Sequence, residues 1–116
     1  MTKIYHLSTC STCQRILTET GAAAKGCLLQ DIKTEKITPA QLDELREKAG
    51  SYEALFSRRA MKFKEWGLKD KELTETDYRD LILQEYTFLK RPVAIFGERI
   101  FVGSDKKTVA QLKASI

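Results

Sequence analysis

Apolar positions along the chain predict strands and helices in the order β-α-β-α, followed by further helices and then by β-β-α. Short apolar runs are typical of strands, whereas apolar residues spaced by three and four are typical of helices. The runs predict strands over residues 3–7, 28–32, 93–96 and 100–102, and the strand at 28–32 should be buried. The helical spacing predicts helices over residues 11–20 and 38–50, after Thr74 and after Ser104.

Capping signals mark the ends of the predicted helices. Thr38, with Gln41 three positions later, is typical of a helix start, and Gly50 is a natural stop. Thr74 begins a second signal of the same kind. We expect Ser104 to cap the last helix.

This order of elements predicts an α/β fold of the thioredoxin-like type: a mixed four-stranded sheet flanked by helices, with a helical insertion between strands 2 and 3. The 116 residues are enough for one domain over residues 1–116 that needs no disulfide to fold. The insertion spans approximately residues 38–88. Within it we expect short helices over residues 51–71, with these apolar side chains in the core: Leu55, Phe56, Met61, Phe63 and Trp66.

Cys10 and Cys13 form a C-x-x-C motif where the first predicted strand meets the first predicted helix. A sulfur at such a junction meets the unpaired N–H groups of the first helical turn and the positive end of the helix dipole, and both favour a thiolate. We therefore expect Cys10 to be more acidic than a free thiol and to act as a nucleophile. Cys13 shares a helical face with Ile16 and Leu17, so its sulfur should point partly inward, where it could resolve an adduct on Cys10.

Two other interpretations of these cysteines remain open. Cys10, Cys13, Cys27 and His6 have the composition of a Cys3His zinc site, but zinc modules usually bring their ligands in short pairs, whereas His6 lies in a predicted strand and Cys27 stands alone. The other interpretation is two ordinary thiols. The spacing predicts neither a metal nor a bound organic cofactor, and we expect Cys27 to be buried.

Net charge and hydropathy further limit the classes of function that the sequence predicts. The net charge of +4 does not by itself indicate contact with nucleic acid. No apolar run approaches the length of a membrane span, and there is no secretion signal, so we expect a cytoplasmic protein with reduced cysteines. A run rich in basic residues is typical of a solvated face, or of a site for an anion or an acidic partner: Arg58, Arg59, Lys62, Lys64, Lys69 and Lys71.

Short motifs are spread over nearly the whole chain: Cys10-Ser11-Thr12-Cys13, Asp31-Ile32-Lys33, Ser57-Arg58-Arg59 with Phe63, Arg91-Pro92-Val93, and Val102-Gly103. As a set they resemble the ArsC/Spx family of thioredoxin-fold proteins, which holds glutaredoxin-coupled arsenate reductases and Spx-type regulators. The set is specific to this family, although no single motif is.

The resemblance implies an anion site beside the nucleophile Cys10. It implies that Arg91 and a cis Pro92 lie next to Cys10. It also implies a second anion-binding arginine, and Phe63 four positions later favours Arg59 for this role, with Arg58 as the alternative.

An anion site beside Cys10 is also expected on physical grounds, independently of the resemblance to the family. A planar guanidinium binds an oxyanion or a carboxylate through paired hydrogen bonds, and a helix N terminus adds N–H donors. We expect Ser11 and Thr12, in the first turn of the helix, to contribute to this anion site.

The chain departs from arsenate reductases of this kind at two places. These enzymes have serine where Cys13 stands, and they carry a third arginine just after the last strand, where this chain reads Val102-Gly103-Ser104. The missing arginine predicts weak arsenate turnover, whereas Cys13 brings the chain closer to the Spx pattern.

Two functional hypotheses follow. In the first, the chain is a thiol-dependent oxidoreductase whose Cys10 attacks an oxyanion or a (glutathione) disulfide, with glutathione and glutaredoxin, or thioredoxin, as the electron donor. In the alternative, it is an Spx-type redox-sensing transcriptional regulator that binds the RNA polymerase α subunit through its helical insertion, with Gly50 at the contact. A helix C-cap explains Gly50 equally well. Neither hypothesis involves direct contact with nucleic acid or with a membrane.

Overall fold

A computed structural model describes residues 2–116 and contains a mixed four-stranded sheet flanked by helices, which confirms the predicted fold class. The strands are β1 (Lys3–His6), β2 (Leu28–Asp31), β3 (Val93–Phe96) and β4 (Arg99–Val102). The helices are α1 (Ser11–Thr20), α2 (Pro39–Ala49), α3 (Met61–Glu65), α4 (Glu75–Gln84) and α5 (Lys106–Ser115). Short 3-10 helices cover Glu53–Leu55, Leu68–Asp70 and Tyr86–Phe88.

The strand order in the sheet is β2-β1-β3-β4. β1 pairs in parallel with β2, with His6 opposite Asp31. It pairs antiparallel with β3, with Tyr5 opposite Val93. β3 and β4 form the predicted hairpin, in which Val93 lies opposite Val102. The C-terminal ends of β1, β2 and β4 and the N-terminal end of β3 therefore meet at one edge of the sheet.

The described chain divides into two compact units, one of which holds the sheet and is formed by residues through Lys36 and from Arg91 onward. One buried cluster in this unit joins the sheet to its helices. Its buried members are Ile4, Ala22, Ala94, Phe101 and Leu112, with Leu17, Cys27 and Ile116 packed against them. α1 and α5 thus cover the same apolar side chains of the sheet.

The second unit, Ile37–Lys90, is mainly helical and has an aromatic centre. The ring of Phe56 is fully buried and lies 4.9 Å from the ring of Tyr78 and 5.1 Å from that of Phe88, measured between centroids. Phe63 completes the cluster with an edge contact to Phe56 at 6.0 Å. The single domain predicted over residues 1–116, with its insertion at about 38–88, stays a prediction.

The predicted caps are found with one shift. Thr38 accepts a hydrogen bond from the N–H of Gln41 and completes a capping box, and Thr74 does the same for α4. Gly50 ends α2 in a left-handed conformation with φ of 96°. The prediction for α5 was wrong by one residue, because the side chain of Asp105, not that of Ser104, accepts the capping hydrogen bond.

Burial corrects three of the predictions made from the sequence. β2 is an edge strand with Leu28 54% and Leu29 39% exposed, so the prediction of a buried strand was wrong. Met61 and Trp66 were also expected in the core but are exposed. Cys27 is partly rather than fully buried.

Membrane insertion through a helix finds no support in residues 2–116. None of the helices in this part of the chain combines the length and the apolar character needed to cross a bilayer.

Replacing Phe56 should destabilise the protein strongly. Phe56→Ala removes a fully buried ring with three aromatic neighbours, and substitutions of this kind cost about 3 to 5 kcal/mol. The measurement is the free energy of unfolding in urea. Phe96→Ala, at a half-exposed ring, is the matched control and should lose much less. Equal losses in the two variants would contradict the aromatic centre.

Candidate active site

Cys10 lies at the turn between β1 and α1, as the motif predicts. The N–H of Cys10 donates to the carbonyl of Leu7 at 3.0 Å and closes a turn directly after β1. Cys10 itself is extended, with φ of −93° and ψ of 111°, and its carbonyl accepts the first hydrogen bond of α1, from Gln14 at 3.1 Å. Its side chain therefore stands at the N terminus of α1, where the free N–H groups favour an anion.

The environment of Cys10 lowers the pKa of its thiol. Burial raises this pKa, but the backbone N–H and the thiol of Cys13 and the guanidinium of Arg91 lower it by more. The N–H of Cys13 exerts this influence without forming a full capping hydrogen bond. Because the lowering influences win, Cys10 carries more thiolate near neutral pH than a free cysteine does.

The environment of Cys13, unlike that of Cys10, raises the pKa of the thiol. Cys13 lies 3.6 Å from Cys10 and is fully buried, which confirms that its side chain points inward. Burial is the largest influence and, together with the neighbouring Cys10 sulfur, raises the pKa of Cys13 to about 11. Cys13 therefore stays protonated at neutral pH and can donate its proton toward the Cys10 sulfur.

Sheet register explains why Arg91 lies beside Cys10. Tyr5 pairs with Val93 in an antiparallel ladder, so the residues after β1 run alongside those before β3. The guanidinium of Arg91 hydrogen-bonds to the Cys10 sulfur. The Arg91–Pro92 peptide bond is cis, as the resemblance implies.

The loop after β4 reaches the same edge of the sheet. The N–H of Gly103 donates to the carbonyl of Pro92 at 2.9 Å. The segment Val102-Gly103-Ser104, where the resemblance to arsenate reductases would lead one to expect a third arginine, therefore lies next to Pro92. Ser11 and Thr12 occupy the first turn of α1, with Ser11 exposed and Thr12 partly buried.

Arg58 and Arg59 belong to the unit Ile37–Lys90 and differ in their surroundings there. Arg58 donates to the carboxylate of Glu53 at 3.0 Å and to the hydroxyl of Tyr78 at 2.7 Å. Arg59 is exposed and makes no hydrogen bond or ion pair with the described residues. Arg58 is thus engaged within its own unit, and the assignment of Arg59 to anion binding stays a prediction.

Sequence reasoning missed two side chains that hold the turn before Cys10. The carboxylate of Asp31, at the end of β2, accepts hydrogen bonds from the N–H groups of Ser8 and Lys33, each at 3.2 Å. The side-chain amide of Gln14 donates to the carbonyl of Leu7 at 3.1 Å. The motif Asp31-Ile32-Lys33 was noted only as part of the resemblance, and Gln14 carried no signal beyond being polar next to a buried cysteine.

The residues proposed for a zinc site are not arranged as one. Within residues 2–116 no three side chains of His, Cys, Asp or Glu are grouped so that they could hold a metal ion.

Comparison with known proteins identifies the family. The model of the ArsC family matches residues 5–112. The chain therefore belongs to the ArsC family, which confirms the resemblance. No curated protein sequence matches the chain.

Solved structures share its fold. An arsenate reductase from Vibrio cholerae has a TM-score of 0.80 and 17% sequence identity, with 96% of this chain and 96% of that chain covered. An arsenate reductase (ArsC) related protein from Brucella melitensis has a TM-score of 0.70 and 23% identity, with 97% of this chain and 92% of that chain covered. At these identities the likeness shows a common fold.

Removing the Arg91 cation should raise the pKa of Cys10. In Arg91→Met the hydrogen bond and the attraction to the thiolate are both lost, so less thiolate is present near neutral pH. We expect alkylation of Cys10 by iodoacetamide at about pH 7 to slow by roughly threefold or more, with little change at high pH, where the thiol is fully ionised.

The matched control is Arg15→Met. Arg15 is an exposed arginine of α1 that is not among the largest influences on the pKa of Cys10. A rate profile of Arg91→Met that coincides with that of Arg15→Met would show that Arg91 does not stabilise the thiolate.

Proposed function

We propose that this protein is a thiol-dependent oxidoreductase in which Cys10 is the nucleophile. The observation that carries the proposal is the pair of unlike thiols at the N terminus of α1: Cys10 is partly buried with a lowered pKa, and Cys13, 3.6 Å away, is fully buried with a raised pKa. Membership of the ArsC family supports the same class of activity. We infer that the reaction takes place in the cytoplasm, where a donor keeps thiols reduced.

The first chemical step is attack by the Cys10 thiolate on a substrate disulfide. A bond forms between the Cys10 sulfur and one substrate sulfur, the substrate S–S bond breaks, and the other half leaves as a thiolate that takes a proton from water. The product is a mixed disulfide on Cys10. Arg91 lies where it can hold a carboxylate or another anionic group of the substrate.

Resolution by Cys13 follows from the change of charge at Cys10. The Cys10 sulfur is one of the groups that raise the pKa of Cys13, and its negative charge disappears when the mixed disulfide forms. The loss of that charge lowers the pKa of Cys13, so that Cys13 can give its proton to water and attack the Cys10 sulfur. The Cys10–Cys13 bond forms, the bond between Cys10 and the substrate sulfur breaks, and the second half of the substrate leaves as a thiolate. Two electrons have passed to the substrate. Glutathione with glutaredoxin, or thioredoxin, returns them.

The substrate class we favour is a small disulfide or a mixed disulfide of glutathione. Arsenate remains a weaker candidate, because the loop beside Pro92 carries Val102, Gly103 and Ser104 instead of an arginine. A charge-assisted hydrogen bond contributes about 1.5 to 3 kcal/mol, so one missing guanidinium can lower oxyanion affinity about tenfold to a hundredfold. A singly charged carboxylate depends less on the missing cation.

No observation favours the regulator that binds RNA polymerase. Gly50 was the residue expected at that contact, and its φ of 96° and the hydrogen bond from its N–H to the carbonyl of Arg46 explain the glycine as a helix C-cap. The polymerase contact stays a prediction without structural support.

Cys10 should titrate below an ordinary cysteine. The experiment follows iodoacetamide alkylation against pH in a Cys13→Ser, Cys27→Ser variant, in which Cys10 is the only thiol. We expect a lowered apparent pKa, because the helix N–H groups and Arg91 remain in place. An apparent pKa at or above the unperturbed value of about 8.5 would rule out an activated thiolate and with it the proposed function.

Substrate preference should favour disulfides over arsenate. We expect reduction of a mixed glutathione disulfide, assayed with glutathione plus glutaredoxin and separately with thioredoxin, to be lost in Cys10→Ser. Arsenate should be reduced weakly or not at all in the same assays. A sub-millimolar KM for arsenate that depends on Cys10 would show instead that the protein is an arsenate reductase, and that two arginines or fewer suffice.

A further inference from the structure

The backbone groups of one residue, Leu7, act on both cysteines of the motif. Its carbonyl accepts the N–H of Cys10 at 3.0 Å and the side-chain amide of Gln14 at 3.1 Å. Its N–H favours the thiolate form of Cys13 and so acts against the effect of burial on the pKa of Cys13. The position of Leu7 therefore affects the surroundings of both sulfur atoms.

Gln14 links the Leu7 carbonyl to the start of α1 through two hydrogen bonds. Its backbone N–H donates to the carbonyl of Cys10 at 3.1 Å, and its side chain donates to the Leu7 carbonyl that also holds the N–H of Cys10. Gln14 thus holds two carbonyls: that of Cys10 itself, and that of Leu7, which accepts the N–H of Cys10. The proposed functions of Cys10, Cys13 and Arg91 do not use this side chain.

A third contact of Gln14 reaches His6. The nitrogen Nε2 of Gln14 lies 3.3 Å from Nδ1 of His6. The amide group has two hydrogens, so one can go to the Leu7 carbonyl and the other to Nδ1. Nδ1 must then act as the acceptor, and the neutral ring of His6 carries its proton on Nε2.

We propose that Gln14 is a positioning residue for Cys10: its side-chain amide fixes the Leu7 carbonyl and the His6 ring, and thereby holds the Cys10 sulfur at the N terminus of α1. This inference rests on the proposed function, because it concerns the same nucleophile. Hydrogen bonds to a thiolate weaken steeply with distance and angle. A small displacement of the turn would therefore cost Cys10 part of the stabilisation that it receives from Cys13 and Arg91.

The test replaces Gln14 by methionine, which has a similar length and no donor. It uses the Cys13→Ser, Cys27→Ser background, so that Cys10 is the only thiol. A single neutral hydrogen bond is a small part of the stability of a domain, and we expect Gln14→Met to fold. At about pH 6 the alkylation rate of Cys10 should fall roughly three- to tenfold, whereas at about pH 10 it should be unchanged.

The matched control is Gln111→Met, at an exposed glutamine of α5. It should leave the pH profile as it is in the parent. A profile for Gln14→Met that coincides with those of the parent and of Gln111→Met would overturn the inference.

A second measurement on the unmutated chain does not depend on how the variant folds. His6 is the only histidine in the sequence, so the 15N spectrum contains one imidazole. At a pH where imidazole is neutral we expect the Nε2–H form in the unmutated chain. A ring that carries its proton on Nδ1 in the unmutated chain would also overturn the inference.

The two proposals fail in different ways. If Cys10 titrates as an ordinary cysteine already in the parent, the proposed function fails, while the His6 tautomer still reports whether Gln14 donates to the ring. If Cys10 is acidic in the parent and stays so in Gln14→Met, only the positioning role of Gln14 fails.

Discussion

The proposed chemistry needs a negative sulfur, and burial of Cys10 works against that charge. Burial is the largest influence on the pKa of Cys10, so the thiolate depends on donors that come from separate parts of the chain. α1 supplies the N–H and the thiol of Cys13, and the residue before β3 supplies Arg91. The sheet unit has to bring these parts to one point, and the topology of its strands does so.

Strand pairing alone accounts for most of this convergence. β1 runs parallel to β2, with His6 opposite Asp31, so the end of β2 meets the turn before Cys10. The antiparallel pairing of β1 with β3 brings the start of β3 to the same edge, and the hairpin of β3 with β4 brings Gly103 to Pro92. Strand pairing thus brings residues that are far apart in sequence to the turn at Cys10, where the side chains of Asp31 and Arg91 make their contacts.

The separation in sequence between interacting residues explains which features could be predicted from the sequence. Capping boxes at Thr38 and Thr74 join residues three positions apart, and so does the influence of the Cys13 N–H on Cys10, so both are visible in a short window. The exposure of Leu28 and Leu29 arises because β2 is the outermost strand of the sheet, with a neighbouring strand on one side only. Strand order is not encoded in the apolar run itself, and an edge strand and a central strand can share the same composition.

Side-chain contacts are equally hard to predict from the sequence, as Arg58 and Arg59 show. Arg58 and Arg59 are adjacent and cannot be told apart by spacing, yet Tyr78 and Glu53 engage only Arg58. Gln14 is a similar case, because its role depends on which carbonyl lies within reach of its amide. Contacts of this kind are decided by tertiary packing after the elements have formed, whereas caps and periodicity are decided before.

The loop beside Pro92 limits how much positive charge the proposed site can present. Gly103 has φ of 96°, a conformation that side chains with a Cβ rarely adopt, and Val102 is held in β4 opposite Val93. Ser104 is the exposed residue that follows. An arginine at position 103 would strain the backbone, and one at position 102 would interrupt the hairpin's β-branched pair. The cation that lowers the pKa of Cys10 is Arg91, together with the N–H of Cys13. For the substrate classes proposed above, this combination favours one negative charge near the reacting sulfur over a doubly charged oxyanion.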